Sequence, residues 1–509
     1  MENSYLITYL LIVPFIGGIS LLFFKKNKEN LIRYYGLFIS ILTFIISLLL
    51  YFNFDLNKAG FQFQYHLPWI ETSSVHIGYH VGIDGISLLL ILLTTFLTPL
   101  TLLSSWSSIK NKVKGFTFFM IMLELGMLGV FVSLDLFLFY IFWEAMLIPM
   151  YFIIGIWGGP RRIYASVKFF LYTMFGSLLM LVAIIWLAVY ASSQLGYIST
   201  DLVKLYKIGP TIPTNIQYWM FLAFTLSFAI KIPLFPLHTW LPDAHVEAPA
   251  AGSVILAGVL LKMGTYGLLR FSLPLFPQSA VYFAPYISVL AVIGIIYGAL
   301  VAMVQKDIKK LVAYSSVAHL GFVVLGIFAL TQEAMQGAVI QMVNHGLSTG
   351  ALFLLVGFIY ERTHTREISE YGGIAKIVPI YVVFLMIASL SSIGLPGLNG
   401  FVGEFLILIG SFKSTVLGSW WYTIFAASGV ILAAVYLLRM YQGVVFGKVT
   451  NPKMNKLTDL NKREILVLVP IFIFIVWIGI YPSTFLKVSA KSAHAVIEQV
   501  IPSQNVSLK

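Results

Sequence analysis

Apolar residues run through this chain in stretches about as long as a bilayer is thick, separated by short polar connections. A helix rising 1.5 Å per residue needs about 20 such residues to cross a hydrocarbon core of about 30 Å. Fourteen segments meet that measure, near residues 5–24, 32–52, 83–105, 115–132, 134–156, 165–190, 217–236, 249–270, 281–303, 311–330, 336–360, 377–410, 417–441 and 464–482. The pattern predicts an all-α polytopic membrane protein. The longest connections, 53–82, 191–216 and 442–463, are loop-sized, so no soluble domain is expected between spans. Proline and glycine interrupt two of the runs, at Lys231–Pro242 and at Gly394–Glu404. Such breaks free backbone groups at membrane depth and are tolerated where they line a cavity or a water path. They fall in the seventh and twelfth spans. Five helices is an odd number, so spans 4–8 and 9–13 read as inverted repeats with the broken helix fourth in each. The expected layout is 1–110 for helices 1–3, 111–272 and 273–447 for the two repeats, and 448–509 for helix 14 and a tail.

Composition agrees with this reading and narrows it. The chain is 59% apolar and 10% charged with mean hydropathy +0.92, whereas soluble proteins carry roughly 25% charged residues. Its net charge is +12. In a lipid-embedded chain that excess reports loop charges that set orientation, and nucleic-acid binding is excluded. With the N-terminus outside, the inner loops collect 22 Lys and Arg and the outer loops 8, leaving Lys231 and Lys262 on neither side. The asymmetry predicts both termini outside. The amino terminus has no basic n-region or small-residue cleavage site and reads as the first span, not a removable signal. With no cysteine, the polypeptide holds no thiolate-ligated iron–sulfur cluster, Cys-bound zinc or c-type haem. No glycine-rich phosphate loop or dinucleotide fingerprint follows a strand, which argues against nucleotide hydrolysis.

An ionisable group at mid-bilayer costs roughly 2.5–3.5 kcal/mol, so each one needs a partner or a task. Glu144, Lys231, Lys262 and Glu404 fall there. Burial disfavours a charge and a nearby opposite charge restores it, so opening and closing a Glu144/Lys231 pair would switch the proton affinity of Lys262. His319 and His345 lie between Lys262 and Glu404 in sequence, and an imidazole accepts a proton on one nitrogen and releases it from the other. With Ser315, Ser316, Asn344 and water they would form a wire across the protein. His238 reads as a feeder at the inner end of span seven. Plainer readings stand beside these: structural ion pairing for the charges, and imidazoles satisfied by neighbouring helices. Glu124 reads as helix-packing glue or the lining of an inlet, and Asp84 and Asp135 as caps or surface groups. His238 and His245 lack a third ligand, so no metal is expected.

The segment Lys231-Ile-Pro-Leu-Phe-Pro-Leu-His-Thr-Trp-Leu-Pro242, followed by Leu-Leu-Lys262-Met-Gly, closely resembles the antiporter-like membrane subunits of proton-pumping NADH:quinone oxidoreductase, respiratory complex I. The likeness extends through Phe-Trp-Glu144-Ala-Met, Val-Ala-His319, Asn-His345-Gly-Leu and Gly-Phe-Val-Gly-Glu404-Phe. It implies that the M-type chain carries glutamate in the broken twelfth span, where L-type, N-type and Mrp antiporter chains typically carry lysine. Glu404, and the lack of room after span fourteen for a long lateral helix, favour the M type. The resemblance further implies that Glu144 and Lys231 are the coupling pair, Lys262 the central proton holder, His319 and His345 the relay, and Glu404 the terminal site. It implies no cofactor in this chain: NADH, FMN, iron–sulfur clusters and quinone belong to partner subunits, and L-type and N-type chains flank this one. The expected setting is the bacterial inner membrane. The alternatives are a subunit of a multi-chain Mrp-type Na⁺/H⁺ antiporter and a non-pumping structural spacer of the membrane arm.

Overall fold

The computed structural model describes residues 5–449 and 451–502, without the side chain of Lys453. Lys509, counted above among the outer charges, and both chain ends lie outside the described residues. The main helices in chain order are α1 (Leu6–Leu21), α2 (Glu29–Phe52), α3 (Gly85–Ser104), α4 (Val113–Val132), α5 (Leu136–Trp157), α6 (Arg162–Leu195), α7 (Thr214–Lys231), α8 (Trp240–Glu247) and α9 (Ala250–Leu275). They continue as α10 (Pro277–Met303), α11 (Ile308–Phe328), α12 (Gln332–Thr363), α13 (Pro379–Ile393), α14 (Asn399–Phe412), α15 (Trp421–Val445), α16 (Lys462–Ile480) and α17 (Ser483–Val500). Among the described residues, 11 of these are long and apolar enough to cross a membrane: α2 to α6, α9 to α12, α15 and α16. α1, α13 and α14 are shorter apolar helices. Helix fills most of each predicted segment.

The packing places polar chemistry inside and hydrocarbon outside. α9 is wholly buried, and α11 and α12 nearly so. Phe38 on α2, Val182 on α6, Ile431 on α15 and Ile473 on α16 face outward, as lipid-facing side chains do.

Two connections are more ordered than their length suggested. Residues 53–82 do not form a plain loop: Gln62–Glu71 (β1) pairs antiparallel with Val75–Ile83 (β2), and Ile198–Ser199 (β3) adds in parallel. The β-branched and aromatic content of these stretches outweighs their shortness. The expected tail after helix 14 is the amphipathic α17. It buries Val488, Ser492, Val496 and Val500 at four-residue intervals, a spacing that places them on one helix face. Ser492 Oγ accepts from Gly85 N at 2.9 Å, and Ala490 O accepts from Gln332 Nε2 at 3.0 Å, so α17 lies across the hairpin end of α3 and α12.

Both proline–glycine segments break their helices as the sequence predicted. Between α7 and α8 the chain turns through cis Ile232–Pro233 and Phe235–Pro236 peptides, and the freed Ile230 carbonyl accepts from Trp240 Nε1 at 2.8 Å. Between α13 and α14, Gly394 (φ +82°) and Gly397 (φ +92°) adopt left-handed conformations that favour glycine. There Asn344 Nδ2 donates to Asn399 O at 2.7 Å, tying the break to α12. A third irregularity lies in α5, whose two halves meet at Met146. Pro149 has no N–H to offer the carbonyl four residues back, which leaves the helix distorted beside Glu144.

At the end opposite the hairpin, Lys309 is not a loop charge as expected. It is buried, and Nζ donates to the carbonyls of Ala248 and, at 3.4 Å, Val246. Arg366 Nη1 donates to Val246 O at 2.7 Å. Two cations thus satisfy the carbonyl-rich C-terminus of α8, where the helix dipole favours positive charge.

Candidate functional site

The centre of the protein holds a connected set of polar side chains on α9, α11, α12 and α14. Lys262 is completely buried on α9. It lies between two π-helical segments, Leu256–Leu260 and Leu268–Ser272, which neither the hydropathy nor the glycine content revealed. Such segments leave carbonyls outside the regular ladder and recur at functional sites. Here Lys262 Nζ donates to Ala257 O, five residues back, and to His345 Nδ1 at 2.7 Å.

That contact sets the tautomer of His345: accepting at Nδ1, its neutral ring carries the proton on Nε2. His319 is held the other way round. Its Nδ1 lies 3.0 Å from Glu404 Oε1, and a carboxylate oxygen accepts, so His319 donates from Nδ1 and its neutral Nε2 is an acceptor. The two ring centroids are 5.8 Å apart, and neither Nε2 has a hydrogen-bond partner among the described residues. Between them is a cavity of about 10 Å³, lined by both histidines with Gln341, Asn344, Ser348 and Ser391. It is the size of one water and bordered by polar groups. Lys262, His345, His319 and Glu404 are therefore brought together.

Gln341 was not foreseen. Its Nε2 donates to Glu404 Oε1 at 3.1 Å, and its Oε1 accepts from Asn344 Nδ2 at 3.2 Å. The signal was present: Gln341, Asn344, His345 and Ser348 lie three, four and seven residues apart, a polar stripe on one face of an otherwise apolar helix. Ser315 and Ser316, expected in the wire, do not line the cavity. Each hydroxyl donates to the Val312 carbonyl of its own helix, the back-bonding typical of serine in helices.

Glu144 and Lys231 do not touch. Among the described residues Glu144 Oε1 and Lys231 Nζ have no hydrogen-bond partner, and no ion pair joins the two. Lys231 Nζ instead lies over the rings of Trp143 at 5.1 Å and Phe169 at 5.6 Å, a cation–π setting that tolerates burial. His238 lies in the break between α7 and α8, 5.7 Å from the Phe235 ring and 5.1 Å from Tyr297. His245 stacks on Phe353 at 4.6 Å, and neither ring nitrogen has a partner among the described residues. Glu124 is fully buried, with its carboxyl beside the Thr98 side chain. Asp84 and Asp135 cap α3 and α5 through the backbone N–H groups of Ile86, Ser87, Phe137 and Leu138. Both are buried, and Asp84 also pairs with Arg270 at 2.6 Å. Arg270, counted among outer loop charges, is an interior residue. Among the described residues no group of three His, Asp or Glu has metal-ligand geometry.

Residues 133–449 match the family described as NADH:quinone oxidoreductase/Mrp antiporter, TM, and residues 9–131 match the NADH-ubiquinone oxidoreductase chain 4 amino terminus. The chain belongs to this family. NADH-quinone oxidoreductase subunit M of Rickettsia conorii is 43% identical over 497 residues, covering 97% of this chain and 98% of that protein. Subunit M of Rhodobacter capsulatus is 47% identical over 462 residues, covering 89% and 87%. Among solved structures, a chain of respiratory complex I from Thermus thermophilus with bound NADH superposes with TM-score 0.86 at 31% identity, covering 97% of this chain and 99% of that one.

Proposed function

We propose that this chain is the M-type proton-translocating subunit in the membrane arm of respiratory complex I, driven by NADH oxidation and quinone reduction in partner subunits. The observation that carries the proposal is the polarity of the buried relay. Lys262 donates to His345, both histidines line the same small cavity with their Nε2 atoms unpartnered among the described residues, and His319 donates to Glu404. A water in that cavity bonded to both Nε2 atoms would complete a path along which a proton moves from Lys262 towards Glu404. Glu144 and Lys231 form the coupling element: drawing them together changes the field at Lys262, and moving one charge through 100 mV is worth about 2.3 kcal/mol.

In this reading fourteen helices cross the bacterial inner membrane, with both termini on the outer side and α7–α8 and α13–α14 as the broken fourth members of two inverted five-helix repeats. L-type and N-type chains flank the protein. NADH, FMN, iron–sulfur clusters and quinone sit in partner subunits. The match of residues 9–131 to the chain 4 amino terminus supports this over an Mrp-type antiporter subunit.

The test is Lys262→Ala in the assembled complex, with NADH-driven proton uptake measured in membrane vesicles. The proposal expects normal assembly with impaired turnover and pumping. Undiminished pumping would instead establish a structural spacer, and purification free of flavin-containing subunits would establish the antiporter.

A further inference from the structure

Away from the proposed relay, at the end of the molecule opposite the hairpin, the end of α10 and the last turns of α15 line a cavity of about 830 Å³. Two cations from different elements meet in it: Lys306, just past α10, and Arg439, on α15. Neither forms an ion pair among the described residues, and no Asp or Glu lines the cavity. The acid next to Lys306, Asp307, is already engaged with Arg366 at 3.1 Å. Gln442 and Ser369 add neutral hydrogen-bonding groups, and Tyr436 and Met440 help form the wall. Val304, which lines the cavity, Leu300 one turn before it, and Val435 and Leu438 beside Tyr436 and Arg439 are exposed apolar side chains.

A cavity lined by two cations and flanked by exposed apolar side chains suits an amphiphile with an anionic head. We infer that this cavity binds one phospholipid with an anionic headgroup, its phosphate held by Arg439 and Lys306 and its acyl chains lying along α10 and α15. Guanidinium suits phosphate oxygens because it donates two parallel hydrogen bonds. Basic pockets between membrane helices on the side rich in Lys and Arg are recognised settings for such headgroups. The inference rests on the chain's embedding in a membrane and not on the proton path, so either can fail without the other.

The test uses the whole complex, purified as wild type, as Lys306→Gln/Arg439→Gln and as the charge-keeping Lys306→Arg/Arg439→Lys. Each is exchanged into nanodiscs of phosphatidylcholine doped with phosphatidylglycerol, and the retained lipid is counted by native mass spectrometry. Wild type and the charge-keeping variant are expected to retain one more phosphatidylglycerol per complex than the glutamine variant, with equal phosphatidylcholine. A measurement that needs no variant is titration of spin-labelled phosphatidylglycerol into the wild type, expected to show a saturable immobilised fraction that spin-labelled phosphatidylcholine does not. Equal retention in all three proteins, or no saturable difference between the two labelled lipids, would overturn the inference. So would removal of the bound lipid by millimolar inorganic phosphate, which would mark a pocket for soluble anions.

Discussion

Replacing Arg270 tests how the helix that carries Lys262 is held. Its guanidinium contacts Asp84 at 2.6 Å, and both side chains are about 5% exposed. Nε donates to Tyr266 Oη at 3.2 Å, Nη2 reaches Ser87 Oγ at 3.4 Å, and the Phe61 ring lies 4.7 Å from the guanidinium carbon. The Arg270 carbonyl, freed in the second π segment, accepts from Tyr206 Oη at 2.8 Å. Arg270→Met therefore leaves the Asp84 carboxylate buried, facing only the two backbone N–H groups it caps. Breaking a buried pair by removing one partner costs about 3–5 kcal/mol. Asp84→Asn keeps the cap, since asparagine caps as well as aspartate, but strands the guanidinium at a similar cost. The double variant buries no unpaired charge, so it should recover about 3 kcal/mol relative to the sum of the singles. At about 1.4 kcal/mol per tenfold, each single shifts the folding equilibrium by more than about a hundredfold, enough to deplete the protein in cells. The assay is the amount of assembled complex on native gels, with thermal inactivation of what assembles. Single variants that assemble at wild-type levels, or a double variant whose loss equals the sum of the two single losses, would refute the reasoning.

Further expectations concern the relay, the second break and the hairpin. His345→Gln should slow NADH-driven proton uptake several-fold, while Ser315→Ala/Ser316→Ala leaves it unchanged, because the serine hydroxyls are turned into their own helix; equal loss in both would refute the assignment. Gly400→Ala should prevent assembly, since an added Cβ overlaps the Ser391 carbonyl oxygen, whereas Gly115→Ala meets only the Trp157 ring at 3.5 Å and should be silent on the same gels. Asp201 anchors the hairpin. Burial alone would raise its carboxyl, but the His80 Nδ1 bond at 2.8 Å and the Lys204 N–H at 3.0 Å outweigh that and hold it below the usual carboxylate range. A carboxyl lowered in the fold stabilises above its unfolded value of about 3.9, and that stabilisation is lost as pH falls through the folded value. Hydrogen exchange in residues 62–83 should therefore rise in acid below about pH 4 and lose this dependence in Asp201→Asn; a rise that begins near neutrality would refute the attribution.

The helices were legible because lipid leaves the sequence little freedom: apolar runs of bilayer length can be satisfied only by helix. Both breaks were legible because proline and glycine mark them directly. Glu404, Lys262, His319 and His345 were legible because an ionisable group within an apolar run needs a cause. What escaped depended on partners distant in sequence. Arg270 looks like a loop residue until Asp84, 186 positions earlier, is seen beside it. Lys309 looks like an inner-loop cation until the open carbonyls of Ala248 and Val246 meet it. The π segments around Lys262 escaped because their cause is a packing register, not a residue type. The β-hairpin and α17 were missed because span hunting discards segments of modest hydropathy, and both are read by period instead.

If protons move along the proposed relay, its polarity carries a consequence for coupling. Passing one proton from Lys262 to Glu404 reverses every hydrogen bond on the way: His345 gains a proton at Nδ1 as it gives one from Nε2, and His319 does the opposite. The row then points from Glu404 back towards Lys262. A second proton cannot follow until both rings turn or Glu404 releases its own proton and the bonds are rewritten. A wire that must be reset after each transfer resists uncontrolled leak, and the reset is the step that an external event can gate. In the proposed function that event is a change in the Glu144/Lys231 pair. It stands apart in this structure, with Lys231 held over two aromatic rings, so closing it relocates a buried positive charge relative to Lys262. Freezing the pair apart, with Glu144→Gln, should therefore slow the reset and not the single transfer. Pre-steady-state proton release should show a normal first turnover followed by a slowed steady state, and a first turnover slowed equally would place the coupling elsewhere.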